Sequence, residues 1–283
     1  MEELERKIYY ITMATLITVG VLSFFYIETS PSPYRPWDYK EIRKDGTIRF
    51  VTDFSMPGYF IDGDSTVGFQ HELIVAVCQR AGLNYQTVVE THLSECFRYL
   101  ELKAVDVVAR NVPITSDLRA HYLFTDPIML DRQILVQRTA EANNGIAPIR
   151  NQIELGGKTV YIPKESPAIM RMYHLQEEIG DTIRVYEDPL YSDEQLIIMV
   201  AHGDIDFAVC EYEVAEAMMR ALPQIDIATD ITFTQFQAWA VRRDSPALLD
   251  SLNSWFAAMR ADGTFDRIYN RYYHPEKLAM PTR

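Results

Sequence analysis

Short apolar runs alternate with amphipathic stretches from residue 47 to residue 273. The short runs are rich in β-branched residues, as buried strands are, and the longer stretches repeat apolar residues at helical spacing. Such alternation indicates an α/β fold with mainly parallel sheet. Strands are predicted at residues 47–53, 85–90, 106–112, 133–138, 159–162, 182–186, 205–210, 225–229 and 237–242, and helices at residues 68–81, 93–103, 166–178, 192–201, 214–222, 246–259 and 264–273.

A different pattern occupies the N-terminus, where residues 8–27 form an apolar run without a charged residue. At about 1.5 Å per residue, a helix of this length spans about 30 Å, the thickness of a bilayer core. The run ends in bulky residues rather than a small-residue cleavage site, which favours a permanent signal anchor over a cleaved signal peptide. We predict a short tail at residues 1–7, a single-pass transmembrane helix at 8–27 and a Pro-rich linker at 28–45.

The remaining elements fall into two groups. Residues 46–128 and 239–274 are predicted to form a first lobe, residues 129–238 a second lobe, and residues 275–283 a tail. The chain then crosses between the lobes twice, near residues 125–138 and 233–240. Two connecting segments make a hinge, and a hinge creates a cleft that can close over a ligand.

The most specific motif lies between residues 106 and 138. It reads Asp106-Val-Val-Ala-Arg-Asn-Val-Pro-Ile-Thr115, then Phe124-Thr-Asp-Pro-Ile128, then Gln133-Ile-Leu-Val-Gln-Arg138. This order resembles the signature of bacterial extracellular solute-binding proteins of family 3. Within that family the likeness is greatest to the ligand-binding half of membrane-bound lytic murein transglycosylases, supported by residues 157–162, 178–182, 237–242 and 262–273.

The resemblance covers residues 46–273 and implies a two-lobed, periplasmic-binding-protein-like fold of type II, preceded here by the transmembrane helix. Basic residues stand on both sides of that helix, so flanking charge does not orient it. The resemblance implies export. We therefore predict an inner-membrane location, with the C-terminal domain in the periplasm or on the outer face. No transglycosylase catalytic domain is recognised in the sequence, so no glycan cleavage is expected.

Candidate ligand-binding residues lie at strand ends, because ligands of open α/β sheets bind beyond the carboxyl ends of the strands. Asp53, Asn111, Thr115, Ser166 and Glu211 stand at or just after such ends. Asp53 and Thr115 also suit ordinary turn-capping and helix-capping roles.

The resemblance gives some of these positions a role. It implies an aromatic residue that stacks on the ligand, at Tyr59 or Phe60, and an acid that holds the ligand's amino group, at Glu211. Two arginines are the candidate cations: Arg110 at the end of a buried strand, and Arg119 in the turn that follows Thr115.

Three positions depart from the family's carboxylate-binding pattern. Leu118 stands where relatives that bind amino acids have an Arg, and Arg119 is turned away from that direction by about 100° if the segment is helical. Pro113 has no N–H to donate. Ser166-Pro-Ala168 replaces a Gly- and Thr-rich anion-binding turn. The cleft has therefore lost its usual amino-acid chemistry or changed ligand.

Composition excludes several classes of function. A formal charge of −13 argues against a nucleic-acid partner, because no basic stripe is present. Cys78, Cys96 and Cys210 lack metal-ligand spacing and are interpreted as free thiols, with a Cys78–Cys96 bridge as the alternative. Nucleophile-elbow, phosphate-loop and zinc-protease motifs are missing from the sequence. No catalytic residue, metal ligand or cofactor is predicted.

The favoured hypothesis is a membrane-anchored solute-binding or sensor protein of the cell envelope. Its expected partners are a small ligand, either an amino-acid-like solute or a muropeptide fragment, the membrane and an envelope protein complex. One alternative is a vestigial cleft that serves as a protein-interaction module, favoured if the cleft holds no cavity above a few hundred Å3. Another is a dehydratase-like enzyme, which requires a cleft carboxyl, Glu211 or Asp53, with a raised pKa in a closed pocket.

Overall fold

The structure is a computed structural model that describes residues 37–55, 58–63 and 65–274. The predicted transmembrane helix, both predicted tails and the first half of the predicted linker lie outside these residues. Among the residues that are described, no helix is long and apolar enough to cross a membrane.

Helices and strands alternate along the described chain. The helices are α1 (Tyr39–Asp45), α2 (Phe69–Ala81), α3 (Leu93–Glu101), α4 (Ser116–His121), α5 (Ala168–Ile179), α6 (Asp193–His202), α7 (Tyr212–Met219), α8 (Pro246–Ala261) and α9 (Thr264–Tyr272). The strands are β1 (Thr47–Thr52), β2 (Phe60–Asp62), β3 (Ser65–Val67), β4 (Asn84–Val89), β5 (Val107–Pro113), β6 (Tyr122–Phe124), β7 (Met129–Asp131), β8 (Gln133–Arg138), β9 (Thr159–Pro163), β10 (Arg184–Asp188), β11 (Ala208–Glu211), β12 (Ile225–Asp230) and β13 (Gln235–Arg242).

Two sheets form the two lobes. The first has the strand order β4-β1-β5-β13-β6, with β7 also paired to β13, and the second has the order β10-β9-β11-β8-β12. In the first sheet β1 runs parallel to β4 and β5, and in the second β9 runs parallel to β10 and β11. Strands β13 and β8 run antiparallel to their neighbours. The predicted two-lobed α/β fold is confirmed.

The chain passes between the sheets at two adjacent segments. It leaves β7 and enters β8 through Arg132, and it returns between the end of β12 and the start of β13. The Nε of Arg132 lies 2.7 Å from Oδ1 of Asp230, and its guanidinium stacks 3.7 Å from the centre of the Tyr212 ring. This ion pair ties the outgoing segment to the returning one, so the hinge acts as one unit.

The predicted elements coincide with observed ones to within a few residues at their ends. Sequence periodicity did not predict four strands: the two of the β2–β3 hairpin, β6 and β7. Each of them has three residues. A period of two cannot be recognised over so short a stretch.

The predicted linker at residues 28–45 is wrong for residues 37–45, which belong to the folded domain. Asp38 and Glu41 form a capping box at the start of α1, and Gly46 ends the helix in a left-handed conformation. An acidic cap followed three residues later by Glu, with Gly at the end, is a recognisable helix signal. The prolines at positions 31, 33 and 36 led to a linker prediction that extended over this helix.

Trp37 is fixed to the first lobe by a buried polar network. Its Nε1 donates to Oδ1 of Asp106 (2.8 Å), and Nη1 of Arg242 donates to the carbonyl of Val105 (2.6 Å) beside it. Burial raises the pKa of Asp106, although the backbone N–H of Arg49 and the charge of Arg242 oppose that shift. The network joins Trp37 to β1, to β13 and to the start of β5, and it anchors the N-terminal end of the described domain.

The three cysteines are buried and free, so the alternative of a Cys78–Cys96 disulfide is wrong. Cys78 belongs to the large core cluster that α2, α8 and α9 form against the first sheet. Cys96 belongs to a separate cluster that contains α3. Burial raises the pKa of both thiols, to about 12 for Cys78 and about 11 for Cys96, which makes them unreactive at neutral pH.

Asp38 joins α1 to α8, and its removal should destabilise the domain. Its carboxylate accepts from the backbone N–H of Tyr39 (2.7 Å), Leu248 (2.8 Å) and Ala247 (3.0 Å). We expect Asp38→Ala to lower the free energy of unfolding by about 1–3 kcal/mol, measured by urea denaturation. Asp250→Ala, an exposed position on α8, is the control and should change it by less than about 0.5 kcal/mol. Equal effects of the two substitutions would refute this role.

Candidate functional site: the interlobe cleft

A cavity of about 140 Å3 lies between the lobes, at the strand ends of both sheets. An apolar cavity of about 150 Å3 is known to hold a benzene molecule, so this space suits one small organic molecule. Residues from both lobes line it. Those with the most chemistry are Asp53, Arg110, Asn111, Ser166, Asp193 and Glu211.

Strand ends position most of these side chains, as the sequence predicts. Asp53 directly follows β1, Arg110 and Asn111 lie in β5, and Glu211 is the last residue of β11. Asp193 is the first residue of α6. Of the six residues named above, the first lobe thus supplies one carboxyl and one cation, and the second lobe supplies two carboxyls.

Glu211, Asp193 and Gln133 form the second lobe's wall of the cavity. The backbone N–H of Glu211 donates to Oδ2 of Asp193 (2.9 Å), which holds the two acids side by side. Gln133 is the direct cross-strand neighbour of Glu211, so their side chains point to the same face. Gln133 is buried, and no donor within the described residues reaches its Oε1. A buried acceptor without a donor is costly and marks a place where a ligand donor would be stabilising.

Arg110 is the cation in the floor of the cavity. Its Nη1 donates to the carbonyl of Thr91 (2.9 Å), and its Nε lies 3.9 Å from Oδ1 of Asp53. It is only 19% exposed, with Asp53 at 20%, so solvent screens the pair weakly. Arg110 also lies close enough to Glu211 to lower that residue's pKa. One guanidinium therefore faces carboxyls from both lobes.

The acids keep protons to unusually high pH. Burial raises the pKa of Glu211 well above its usual value, and the neighbouring charges of Asp131, Asp193 and Asp53 raise it further. Burial also raises the pKa of Asp193 to about 7, with Glu194 and Asp53 adding to the shift against the hydrogen bond from Glu211. Burial likewise raises the pKa of Asp131, at the hinge, to about 7, and the charge of Glu213 adds to the shift. The cleft holds more carboxyls than its single buried guanidinium balances.

A chain of hydrogen bonds fixes Asn111. The indole Nε1 of the buried Trp239 donates to Oε1 of Gln70 (2.6 Å), and Nε2 of Gln70 donates to Oδ1 of Asn111 (2.8 Å). The amide oxygen of Asn111 is thus occupied, which leaves its N–H donors directed away from Gln70.

One contact crosses the mouth of the cleft, and we call it the clasp. The carboxylate of Glu165, in the second lobe, accepts from the backbone N–H (2.9 Å) and the hydroxyl (2.8 Å) of Ser94, at the start of α3. It caps a helix of the opposite lobe, where a negative charge is stabilising. Glu165 adopts a left-handed conformation, with φ of 66°, which is unfavourable for a residue with a side chain. The structure is therefore a closed form.

Four of the predicted ligand-binding residues do not line the cavity. Tyr59 packs edge-on against His71, with ring centres 5.3 Å apart, and Phe60 pairs with Val67 in the β2–β3 hairpin. The hydroxyl of Thr115 accepts from the N–H of Leu118 (3.2 Å) and caps α4. The remaining one, Arg119, points outward from α4 into solvent, as the helical step from Leu118 predicts.

Sequence reasoning missed several lining residues, among them Phe54, Asp193 and Gln133. Phe54 is an aromatic residue of the lining, 54% exposed and one position beyond Asp53. The strand-end rule would have reached it. Asp193 reads in the sequence as a helix-capping acid, and Gln133 as an ordinary strand residue, so only the register and the packing of α6 reveal them. Within the described ranges, no group of three or more His, Cys, Asp or Glu residues is arranged to hold a metal ion.

Comparison with known sequences assigns the chain to a family. The sequence model of bacterial extracellular solute-binding proteins, family 3, matches residues 48–275. The chain belongs to this family. It is also similar to membrane-bound lytic murein transglycosylase F of Desulfosudis oleivorans, 27% identical over 95% of this chain and 56% of that protein. The Pseudomonas fluorescens protein of the same name is 24% identical over 84% of this chain and 48% of its own length. The chain thus spans about half the length of these relatives.

Several solved structures share the fold. ArgBP from T. maritima, as a P235GK mutant, has a TM-score of 0.68 and 21% identity, covering 83% of this chain and 98% of its own. Tv2483 bound to L-arginine has a TM-score of 0.72 and 16% identity, covering 83% of this chain and 93% of its own. The ancestral amino-acid-binding protein AncCDT-1, a precursor of cyclohexadienyl dehydratase, has a TM-score of 0.70 and 23% identity, covering 83% and 98%. At these identities the likeness is one of fold.

The raised carboxyl pKa values predict that the ligand-free protein loses stability as pH rises. Between pH about 4 and about 7 the unfolded chain has released protons that Asp131 and Asp193 keep when folded. The folded state binds more protons in that window, so the free energy of unfolding should fall through it. His71, with its pKa lowered by burial, contributes the opposite slope.

Comparison of variants isolates the acids. Asp193→Asn keeps the oxygen that accepts from Glu211 but cannot titrate, so denaturation curves at pH 5, 6, 7 and 8 should show a shallower loss of stability than the wild type. Asp250→Asn, on the exposed face of α8, should leave the slope unchanged. An unchanged slope in Asp193→Asn would mean that Asp193 titrates normally in the folded protein.

Proposed function

We propose that this protein is a membrane-anchored solute-binding or sensor protein of the cell envelope. Its cleft closes over one small ligand, an amino-acid-like solute or a wall-peptide fragment. The observation that carries the proposal is the convergence of Asp53, Asp193 and Glu211, from two lobes, on one cavity beside Arg110. The apolar run at residues 8–27 supports the membrane anchor and the envelope location.

Closure in this proposal is a balance of two interactions across the cleft. The clasp between Glu165 and Ser94 draws the lobes together. Repulsion between Asp53 of the first lobe and the acids of the second drives the lobes apart, since the charge of Asp53 raises the pKa of both Asp193 and Glu211. A ligand that brings positive charge into the cavity removes the repulsion and leaves the clasp unopposed. Ligand binding and closure are thereby coupled.

Two proteins of the same fold support a ligand that carries positive charge. ArgBP and Tv2483 are named for, or were solved with, arginine, a small molecule that carries cationic groups. The acid-rich cavity described above has the complementary charge. The transfer of ligand class from these proteins to this chain is part of the proposal.

An interaction module is the second candidate. The cavity of about 140 Å3 is smaller than the few hundred Å3 expected of a spacious pocket, which favours this alternative. The lining residues favour ligand binding instead. Buried carboxyls without enough cations and the Gln133 oxygen without a donor are costly, and a cleft that serves only for packing gains nothing from them. A small cavity also suits a small ligand in a closed form.

A dehydratase-like enzyme is the third candidate, favoured by one observation. Glu211 has a pKa well above its usual value and lines the interlobe cavity, as a general acid requires. The name of AncCDT-1 links this fold to a dehydratase lineage. A protonated Glu211 would deliver its proton to a leaving hydroxyl, which departs as water, while the neighbouring carbon gives a proton to a basic group of the cleft and a carbon–carbon double bond forms. Consumption of a substrate by the wild type, lost in Glu211→Gln, would favour this candidate over binding.

The test of the proposal measures binding and closure together. Thermal melting with L-arginine, other amino acids and a wall tetrapeptide should identify a ligand. A ligand at about 100 times its dissociation constant adds about 2.7 kcal/mol. Small-angle scattering with that ligand should show a smaller radius of gyration than without it. If no member of the panel raises the melting temperature, the solute-binding proposal fails.

A matched variant tests the clasp in the same experiment. Glu165→Gln keeps an acceptor for Ser94 but removes the charge, and charge-assisted hydrogen bonds are about twice as strong as neutral ones. We expect severalfold weaker ligand binding and a more open ligand-free form. Glu177→Gln makes the same change at an exposed position of α5 in the same lobe and should bind as the wild type does. Identical affinities of the two variants would show that the clasp does not assist closure.

A further inference from the structure

We infer that the cleft selects an amine cation and requires no carboxylate on its ligand. The ligand class is an alkylamine, diamine or guanidinoamine, or an amine-bearing residue whose carboxyl is bound in an amide. This inference rests on the proposed small-ligand function and names the chemistry that the same cavity recognises. This ligand class differs from a free amino acid, because recognition of a zwitterion requires one anchor for its amino group and another for its carboxylate.

Acceptors dominate the cavity wall opposite Arg110. The carboxyls of Asp193 and Glu211 lie side by side there, and the orphan Oε1 of the buried Gln133 shares their face. An ammonium group carries three N–H donors and no acceptor. It therefore fits a wall that offers the carboxyl oxygens of Asp193 and Glu211 and the Gln133 oxygen, which no donor among the described residues reaches.

The cation of the floor is a poor place for a ligand carboxylate. Arg110 already faces Asp53 at 3.9 Å and donates to the Thr91 carbonyl. A carboxylate drawn to Arg110 would add a further negative charge beside Asp53, Asp193 and Glu211, at low solvent screening. Two other basic residues line the cavity: Lys164, which is exposed, and His92, whose Nδ1 is 3.2 Å from the carboxylate of Glu90.

Two first-lobe positions where an anchor for a carboxylate could stand carry apolar residues instead. Leu118 packs against the apolar cluster that includes Phe97 and Val112, so the position next to the cleft turn holds an apolar core contact instead of a cation. Pro113 lines the cavity and has no N–H.

The backbone donors at the start of α5 are engaged within their own turn. The N–H of Ser166 donates to the carbonyl of Pro163 (3.1 Å), and the N–H of Ile169 donates to the carbonyl of Ser166 (3.2 Å). The N–H of Ala168 donates to the hydroxyl of Ser166 (3.3 Å), and Pro167 has none to give. A turn whose donors are satisfied internally cannot grip a carboxylate without first breaking these bonds.

Matched pairs of ligands decide the point. Titration calorimetry on the full-length protein compares L-arginine with agmatine and L-lysine with cadaverine, each pair differing only by the carboxyl group. We expect each decarboxylated amine to bind at least as tightly as its amino acid, to within about threefold. In 6-aminohexanoate one amine is kept and the other end is a carboxylate, so it should bind more weakly than cadaverine.

Variants of the acceptor wall provide the second measurement. Glu211→Gln and Asp193→Asn keep the shape of each side chain and remove its charge, and each should weaken amine binding by about tenfold or more. Glu177→Gln, exposed on α5, should leave it unchanged. Far-UV circular dichroism and melting curves of each variant confirm that it is folded before its affinity is compared.

Each outcome bears on one claim. If L-arginine or L-lysine binds and the matching amine binds at least about tenfold more weakly, the carboxylate is recognised and this inference is overturned, while the solute-binding proposal stands. If none of the five compounds binds, the amine inference is overturned, and the panel of the preceding experiment decides the solute-binding proposal. Equal binding by the acceptor-wall variants would move the amine site away from Glu211 and Asp193 and would also overturn it.

Discussion

Carboxyl groups from two lobes share one small space around Arg110, and their mutual repulsion is the constraint on which the rest of the cleft depends. Asp53 belongs to the first lobe, whereas Asp193 and Glu211 belong to the second. Burial raises the pKa values of Asp193 and Glu211, and the charge of Asp53 raises them further. Positive charge brought into the cavity would relieve the repulsion among these carboxyls.

The remaining interlobe features set how that repulsion is expressed. Arg132 and Asp230 bind the two hinge segments to each other, so the lobes move about one axis rather than independently. At the far side, the clasp from Glu165 to Ser94 closes the mouth. The hinge, the acids and the clasp together make closure sensitive to the charge of whatever occupies the cavity. The departures at Pro113 and Leu118 fit this arrangement, because they remove anchors for an anionic group.

The sequence predicted the fold and part of the site for a definite physical reason. The strand ends of an α/β fold follow from periodicity, so Asp53, Arg110, Asn111, Ser166 and Glu211 were placed at the cavity without coordinates. Gln133 could not be, because its side is set by the antiparallel register with Glu211. Nor could the clasp, which joins positions 71 residues apart. Tyr59 and Phe60 do not line the cavity. The loop after β1 has no periodicity from which the orientation of its aromatic residues could be predicted.

Proton release on ligand binding tests the central claim most directly. A cation bound beside Asp193 and Glu211 lowers their pKa values and expels protons at pH 7. Calorimetric titration with L-arginine or agmatine, repeated in phosphate and in Tris, reports this release as a difference in binding heat, since the two buffers have different ionisation enthalpies. The account predicts net proton release in the wild type and a reduced release in Glu211→Gln. Binding with the same heat in both buffers, or with proton uptake, would contradict it.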